Sequence, residues 1–407
     1  MNLRKGLLAL YVVLVFCVLP LLSPLRALGV ADPGVLRNFL YPPLLFLFIF
    51  TFGLVYIAKP RTYFHLLFLF TIALAMSMGF FNLNDSDSVR AYFSHIFQIF
   101  SAYVMIGVGW NLYNKLSDVF WTRLVYMSLF AALISTVVTI KALGDGDVGR
   151  FYTPAYGFIL TFSFGLVASK KSNLASFFGA IISNKRGVLL SILITLFAYM
   201  LARMKAKGVS KKKLIQGVLA SVLTVLVMVF GSIIIVNWAG SKANSETAFG
   251  QAVNISYGRI ESLLLSSDDK TIDQLSSGRY TEINAAISDL EGIDYVLGSG
   301  AGWGIELPGG KEAQNIHFSP LSIVAVFGAP IAVFLYGMLF FLVVRGLFRK
   351  DSYGLTLTEK MAPLYLCGAV VHSFTAYSLF IDWMVFFFVG VLTHSLKSTR
   401  GRHQTLS

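Results

Sequence analysis

An all-α protein threaded about twelve times through a membrane is the fold class this sequence predicts, on three observations. The 407 residues are 56% hydrophobic and only 13% charged, with 36 Phe, a balance too apolar for a soluble core. Apolar segments of near-spanning length recur along the chain between short polar joints. The charges are also sorted. The stretch from Gly240 to His317 holds eleven of the twenty carboxylates but only five of the thirty-three Lys and Arg, a net −6 against +19 elsewhere. A bilayer imposes such sorting by retaining Lys and Arg on the cytoplasmic side.

Taken in order, the spans fall at about 7–24, 39–58, 64–81, 94–113, 124–143, 154–169, 174–184, 187–203, 214–238, 319–344, 361–378 and 380–396. Arg4 and Lys5 precede the first of them without a convincing cleavage site after it, so it reads as a retained span. Arg4/Lys5, Lys59/Arg61, Lys115/Arg123, Lys170/Lys171, the Arg203 to Lys213 cluster, Arg345/Arg349/Lys350 and Lys397/Arg400/Arg402 share one side. Asp32, Asp85/Asp87, Asp145/Asp147 and the long acidic loop share the other. Both termini are then cytoplasmic and the loop is periplasmic or extracellular. Three regions follow: helices over 1–238, the large loop over 239–318, and helices with a cytoplasmic tail over 319–407.

The net charge of +13 implies no nucleic-acid partner, because the cations sit in clusters that topology already explains. Cys17 and Cys367 lie inside apolar runs and read as packing residues. No repeat of fixed period is visible, nor two halves of opposite topology such as many transporters carry.

One span is short. About thirteen residues separate Lys171 from Lys185, a helical rise of roughly 20 Å. Lys185 and Arg186 are then drawn toward the membrane's outer half, where cations need a wet cavity or an anion; an ordinary outer turn with snorkelling side chains is the bland alternative. In the loop, Ile283, Ala286, Ile287 and Leu290 form an apolar stripe at helical period, and Arg279 continues it. A guanidinium on a buried face needs an anionic or hydrogen-bonded partner. The run Gly298-Ser299-Gly300-Ala301-Gly302-Trp303-Gly304 reads as a mobile turn or lid, not a nucleotide motif. His317 ends the loop at the outer boundary, where a near-neutral imidazole suits proton abstraction from a hydroxyl, although a capping role fits its position too. Arg150, Arg186 and Arg279 all fall near this outer face, and converging guanidinium forks would bind a diphosphate.

The blocks Asn184-Lys185-Arg186-Gly187 with Leu190, Ser277-Gly278-Arg279-Tyr280, Tyr295-Val296-Leu297-Gly298-Ser299-Gly300, and Ile316-His317 with Gly328 resemble the ordered motifs of the O-antigen polymerase and O-antigen ligase superfamily. The motif resemblance covers roughly residues 180–335, and Gly149-Arg150 before Thr153-Pro154 is similar to a further family position. It implies a GT-C-like glycosyltransferase of the bacterial inner membrane, with its site facing the periplasm. The donor would be an undecaprenyl-diphosphate-linked oligosaccharide, with no cofactor and no metal. Arg186 and Arg279 would hold the diphosphate, with Lys185 and Arg150 as further contacts, and His317 would activate the acceptor hydroxyl. Phe318 after His317 and Ala329-Pro330-Ile331 after Gly328 depart from the ligase pattern and favour a polymerase. A ligase that passes the glycan to lipid A core and a transporter or flippase of lipid-linked glycans are the alternatives. A chain-length regulator is a partner the sequence leaves open.

Other residues carry two readings. His372 and Asp382 flank the outer turn of the last helix pair and could orient a sugar or bond one helix to another. Tyr280 and Trp303 could stack on sugar rings or pack in a core. Glu282, Asp289, Glu291 and Asp294 could supply a carboxylate base, or be solvated.

Overall fold

A computed structural model of the chain describes residues 63–83, 86–112, 116–144, 155–168, 172–182, 186–206, 278–307, 311–313, 316–349, 355–376 and 379–404, with a few single positions elsewhere. The expected spans at 7–24, 39–58 and 214–238 lie essentially outside these residues, as do Arg150 and Lys185. The described helices are α1 (Tyr63–Gly79), α2 (Ser86–Leu112), α3 (Asp118–Gly144), α4 (Ala155–Ala168), α5 (Ser172–Ile182), α6 (Arg186–Ala206), α7 (Arg279–Asp289), α8 (Asp294–Leu297), α9 (Ser319–Phe327), α10 (Ala329–Leu347), α11 (Leu357–Ser373) and α12 (Trp383–Gln404). Strands β1 (Ile305–Leu307) and β2 (Lys311–Ala313) form a small antiparallel hairpin with Ile305 opposite Ala313. Among the described residues the fold is thus all-α apart from this hairpin.

Within α2, α3, α6 and α10 lie segments long and apolar enough to cross a membrane, and α1, α4 and α12 contain shorter apolar stretches. A multi-pass membrane protein follows from these helices. Lipid tails are as apolar as Leu, so helices in a bilayer associate through close backbone approach and polar contacts. Both devices are present. Gly109 of α2 faces the Phe387 backbone of α12 and Gly390 of α12 faces the Ile106 carbonyl of α2, leaving no room for a Cβ at either point. The helices α4 and α5 pair as an antiparallel hairpin: Thr161 and Ser176 share a 2.5 Å hydroxyl hydrogen bond, Gly165 abuts Asn173, and Gly179 abuts Phe158. At the end of the bundle rich in Lys and Arg, Thr356 and Glu359 cap α11 with reciprocal bonds. Arg349 there donates to Ser395 and lies 3.9 Å from Glu359, which also accepts from the Ser395 hydroxyl.

The short segment before Lys185 forms a short helix, and its neighbour is not short. Helix α5 has 11 residues, a rise of about 16 Å, whereas the 21 residues of α6 rise about 31 Å, enough to cross a hydrocarbon core. Arg186 therefore stands at the end of a full-length helix. Registration across the bundle agrees: Gly368 of α11 lies against Ile159, Ser191 and Thr195, and one turn further along, Gly187 lies against His372 and Thr375.

The expected single span at 319–344 is two helices. Gly328 separates α9 from α10 with φ +86°, a conformation that L side chains avoid, and the Val296 carbonyl fills the space a side chain would need. Pro330 opens α10, where its missing N–H is no loss. The 9 residues of α9 are mostly buried and too few to cross a membrane.

Candidate functional site

The described part of the long loop is built from α7, α8 and the β hairpin, and the glycine run joins it to the bundle by backbone hydrogen bonds. The expected lid is a wedge. Ser299 and Gly300 donate their amides to the last carbonyls of α9, Ala325 and Val326, at 2.7 and 3.1 Å. Ala301 donates to the Ala75 carbonyl of α1 at 3.0 Å, and the Asn82 side-chain amide donates to the Ser299 carbonyl at 2.7 Å. The end of α9 thereby gains partners for two carbonyls it cannot satisfy internally, and α1 gains a backbone contact from the same run. Gly300, at φ +88°, packs its backbone on Met78 and Gly79, leaving no room for a side chain.

Trp303 continues the wedge into the core. It is 4% exposed, and its indole N–H donates to Asp289 at 2.8 Å. Of its two readings, core packing is the one the geometry supports, whereas Tyr280 is exposed on α7. The stripe on α7 is narrower than its periodicity suggests: Ala286 and Leu290 are buried, Ile283 is half-buried, and Ile287 is exposed.

One carboxylate of α7 meets the histidine. Glu282 accepts from the His317 backbone amide at 2.8 Å, and its two oxygens stand 3.0 and 2.9 Å from His317 Nδ1. Burial alone would raise the Glu282 carboxyl; hydrogen bonds from the His317 ring and amide, with the charges of His317 and Arg279, outweigh it and hold the carboxyl below its usual value. An ionised carboxylate only accepts, so neutral imidazole carries its proton on Nδ1 and its lone pair on Nε2. Arg279, half-buried one helical turn before Glu282, lies within electrostatic reach of it. The partner expected for a guanidinium on this face is therefore close at hand.

Sequence reasoning grouped Glu282 with three other acidic residues, and the structure separates them. Asp289 serves Trp303, and Asp294 accepts from the Glu291 amide at 3.3 Å. A usable signal was the spacing of Arg279 and Glu282, which puts both on one helix face. Nothing local could single out His317 as the partner, because the β hairpin brings it there.

Arg186 approaches the same region through its backbone. The Phe318 ring lies 5.8 Å from that of Phe374, and the next residue, Thr375, packs on Gly187. The start of α6 and His317 thus flank one turn. His372 is buried with the Tyr156 ring edge-on at 5.0 Å. Asp382 is also buried; it accepts from the Tyr365 hydroxyl at 2.9 Å and from the Met384 amide at 3.0 Å, a bond from one helix to the start of another. Ser319, next but one to His317, accepts from the Leu379 amide at 2.7 Å and ties α9 to the turn before α12. Among the described residues no group of three His, Cys, Asp or Glu side chains gathers as metal ligands do.

The described geometry thus joins one carboxylate, one imidazole and a nearby guanidinium on α7 and the approach to α9. No family model, no curated protein and no solved structure matches the chain.

Proposed function

We propose that this protein is a membrane glycosyltransferase of the O-antigen polymerase kind, joining polyprenyl-diphosphate-linked oligosaccharide repeats at the outer face of the bacterial inner membrane. The observation that carries the reading is the Glu282–His317 pair, with Arg279 beside it on α7. The motif resemblance adds Arg186, whose helix begins across the Phe374–Thr375 turn from His317.

In this reaction an acceptor sugar hydroxyl attacks the anomeric carbon of the donor glycan. A new glycosidic C–O bond forms as the bond to the diphosphate breaks. The hydroxyl proton passes to His317 Nε2, and the Glu282 carboxylate stabilises the imidazolium that results. The departing diphosphate gains negative charge as its bond breaks, so Arg279 and Arg186 stabilise the transition state more than the ground state. Lys185 and Arg150 would add cationic contacts for the same group. The donor already stores the free energy of the transfer, which removes any need for a nucleotide.

The test is lipopolysaccharide banding in a strain that lacks the protein and is complemented with Arg186→Ala, Arg279→Ala or His317→Ala at wild-type expression. A single repeat on lipid A core, with long chains lost, is the expected outcome. Loss of every repeat would make the protein a ligase, and normal banding with all three variants would remove the site assignment.

A further inference from the structure

Beside the site runs a row of apolar side chains that the transfer reaction does not use. Ile287 on α7 is 48% exposed, and Ile293 and Val296, at and just after the start of α8, are 63% and 52% exposed. The row is held in shape. The Tyr295 hydroxyl donates to the Ile287 carbonyl at 3.0 Å, and the Val296 and Leu297 amides both donate to the Ile293 carbonyl at 2.9 Å. Three aliphatic side chains fixed outward on so small a unit mark a contact surface.

Position identifies what they contact. The Val296 carbonyl lies against Gly328, the residue that caps α10. Helix α10 is long and apolar enough to span a bilayer, and Val333, on its second turn, is 72% exposed, an exposure that acyl chains cover. The apolar row is therefore joined through the Val296 backbone to the residue that opens α10. Its charged neighbours, Glu291 and Asp294, are acidic, which suits zwitterionic headgroups bearing an amine better than anionic ones.

We propose that the corner between α7 and α8 is seated in the interfacial layer of the membrane, with Ile293 and Val296 inserted beneath zwitterionic headgroups. Such seating sets the height of α7, and so of Arg279 at its other end, relative to the headgroup phosphates. The proposal needs only that α10 spans a bilayer, and it stands or falls separately from the sugar chemistry.

The test places a nitroxide at Ile293→Cys or Val296→Cys in a chain carrying Cys17→Ala and Cys367→Ala, in nanodiscs of phosphatidylethanolamine and phosphatidylcholine. Glu306→Cys, exposed on β1, is the water-facing reference. The expected result is an oxygen-to-nickel-chelate accessibility ratio several-fold higher at 293 and 296 than at 306. A ratio equal to the reference means water covers the row, and shielding from both reagents means protein covers it; either overturns the proposal. The unmodified chain supplies a second measurement: a diazirine-bearing phospholipid should label the peptide containing Ile293 and Val296, and absence of the adduct counts against the seating.

Discussion

Replacing Glu282 by Gln keeps the volume of the side chain and removes its charge, which isolates what the carboxylate does for His317. The carboxylate accepts from a backbone amide at 2.8 Å and stands 2.9 and 3.0 Å from the ring nitrogen. Hydrogen bonds to a charged group contribute about 1.5–3 kcal/mol each when buried. With side-chain exposures of 33% for His317 and 17% for Glu282, solvent screening reduces the stability loss to about 1–2 kcal/mol for the pair. The effect on turnover is larger in kind. A Gln amide replaces one carboxylate oxygen with an NH₂ donor, and because both oxygens stand within 3.0 Å of the ring nitrogen, that NH₂ faces Nδ1 in either orientation. With its NH₂ toward the ring it favours the tautomer whose lone pair is on Nδ1, leaving Nε2 protonated and unable to take the acceptor proton. General-base catalysis is worth roughly 10²–10⁴-fold, and a loss of about 10²-fold in kcat is expected because water retains some access. Glu282 is a positioning residue and touches no substrate, so KM for the lipid-linked donor should stay within about twofold, the pattern of an interaction felt only in the transition state. The assay is single-turnover extension of a purified lipid-linked repeat, beside thermal unfolding in the same detergent. A Glu282→Gln variant that unfolds like wild type and keeps kcat within about threefold would refute the assignment of His317 as an oriented base.

Three further outcomes test the architecture. Gly300→Ala should cost more than about 3 kcal/mol or prevent folding, because strain at φ +88° adds to a collision with the Met78 and Gly79 backbone; Gly292→Ala, at φ +41° with nothing within 4 Å, should cost about 1 kcal/mol by thermal unfolding. Arg349→Ala should destabilise by about 2–4 kcal/mol in detergent unfolding, since it leaves Glu359 without its cation in a site where both side chains are about one-tenth exposed. The stability that Glu282 contributes should be fully present above the ordinary carboxyl value of 4.5 and fall away as pH drops through the lower folded value, because the depressed carboxyl must be protonated there; acid unfolding of Glu282→Gln should lack this component.

Much of the membrane architecture was legible in the sequence, because burial in lipid writes itself as uninterrupted apolar length. Spans expected at 94–113, 124–143 and 187–203 match the described α2, α3 and α6 to within a few residues at most ends, and the short α5 was visible in the spacing of Lys171 and Lys185. The break at Gly328 was not legible. Apolar length is the same for one helix or two, and the left-handed Gly328 between them is packed against the Val296 carbonyl from another segment. The glycine run misleads for a related reason. Glycines read locally as freedom, yet here they permit close contact between backbones, and the partners lie in α9 and, more than two hundred residues away, in α1. At the candidate site, Arg279 and His317 stand out in the sequence because guanidinium and imidazole carry their chemistry in any context. Glu282 is only one of four candidate carboxylates there, because a carboxylate on a helix acquires meaning from what tertiary structure places opposite it.

Among the described residues of the loop unit the buried apolar ones are Ala286, Leu290, Ala301, Trp303, Ile305 and Ile316, a small set against the conformational entropy of ordering them. Contacts with the bundle add to that order. The backbone amides of Ser299, Gly300 and Ala301 join α9 and α1, so the unit inherits the rigidity of helices packed in lipid. The two partners of this contact come from different elements: His317 leads into α9, and Glu282 belongs to α7. A relative shift of those two elements of even an ångström would stretch contacts of 2.8–3.0 Å beyond hydrogen-bond range. The wedge that attaches the unit to the bundle therefore also holds the spacing of His317 and Glu282, and the geometry of the pair is a property of the bundle as much as of the loop that carries it.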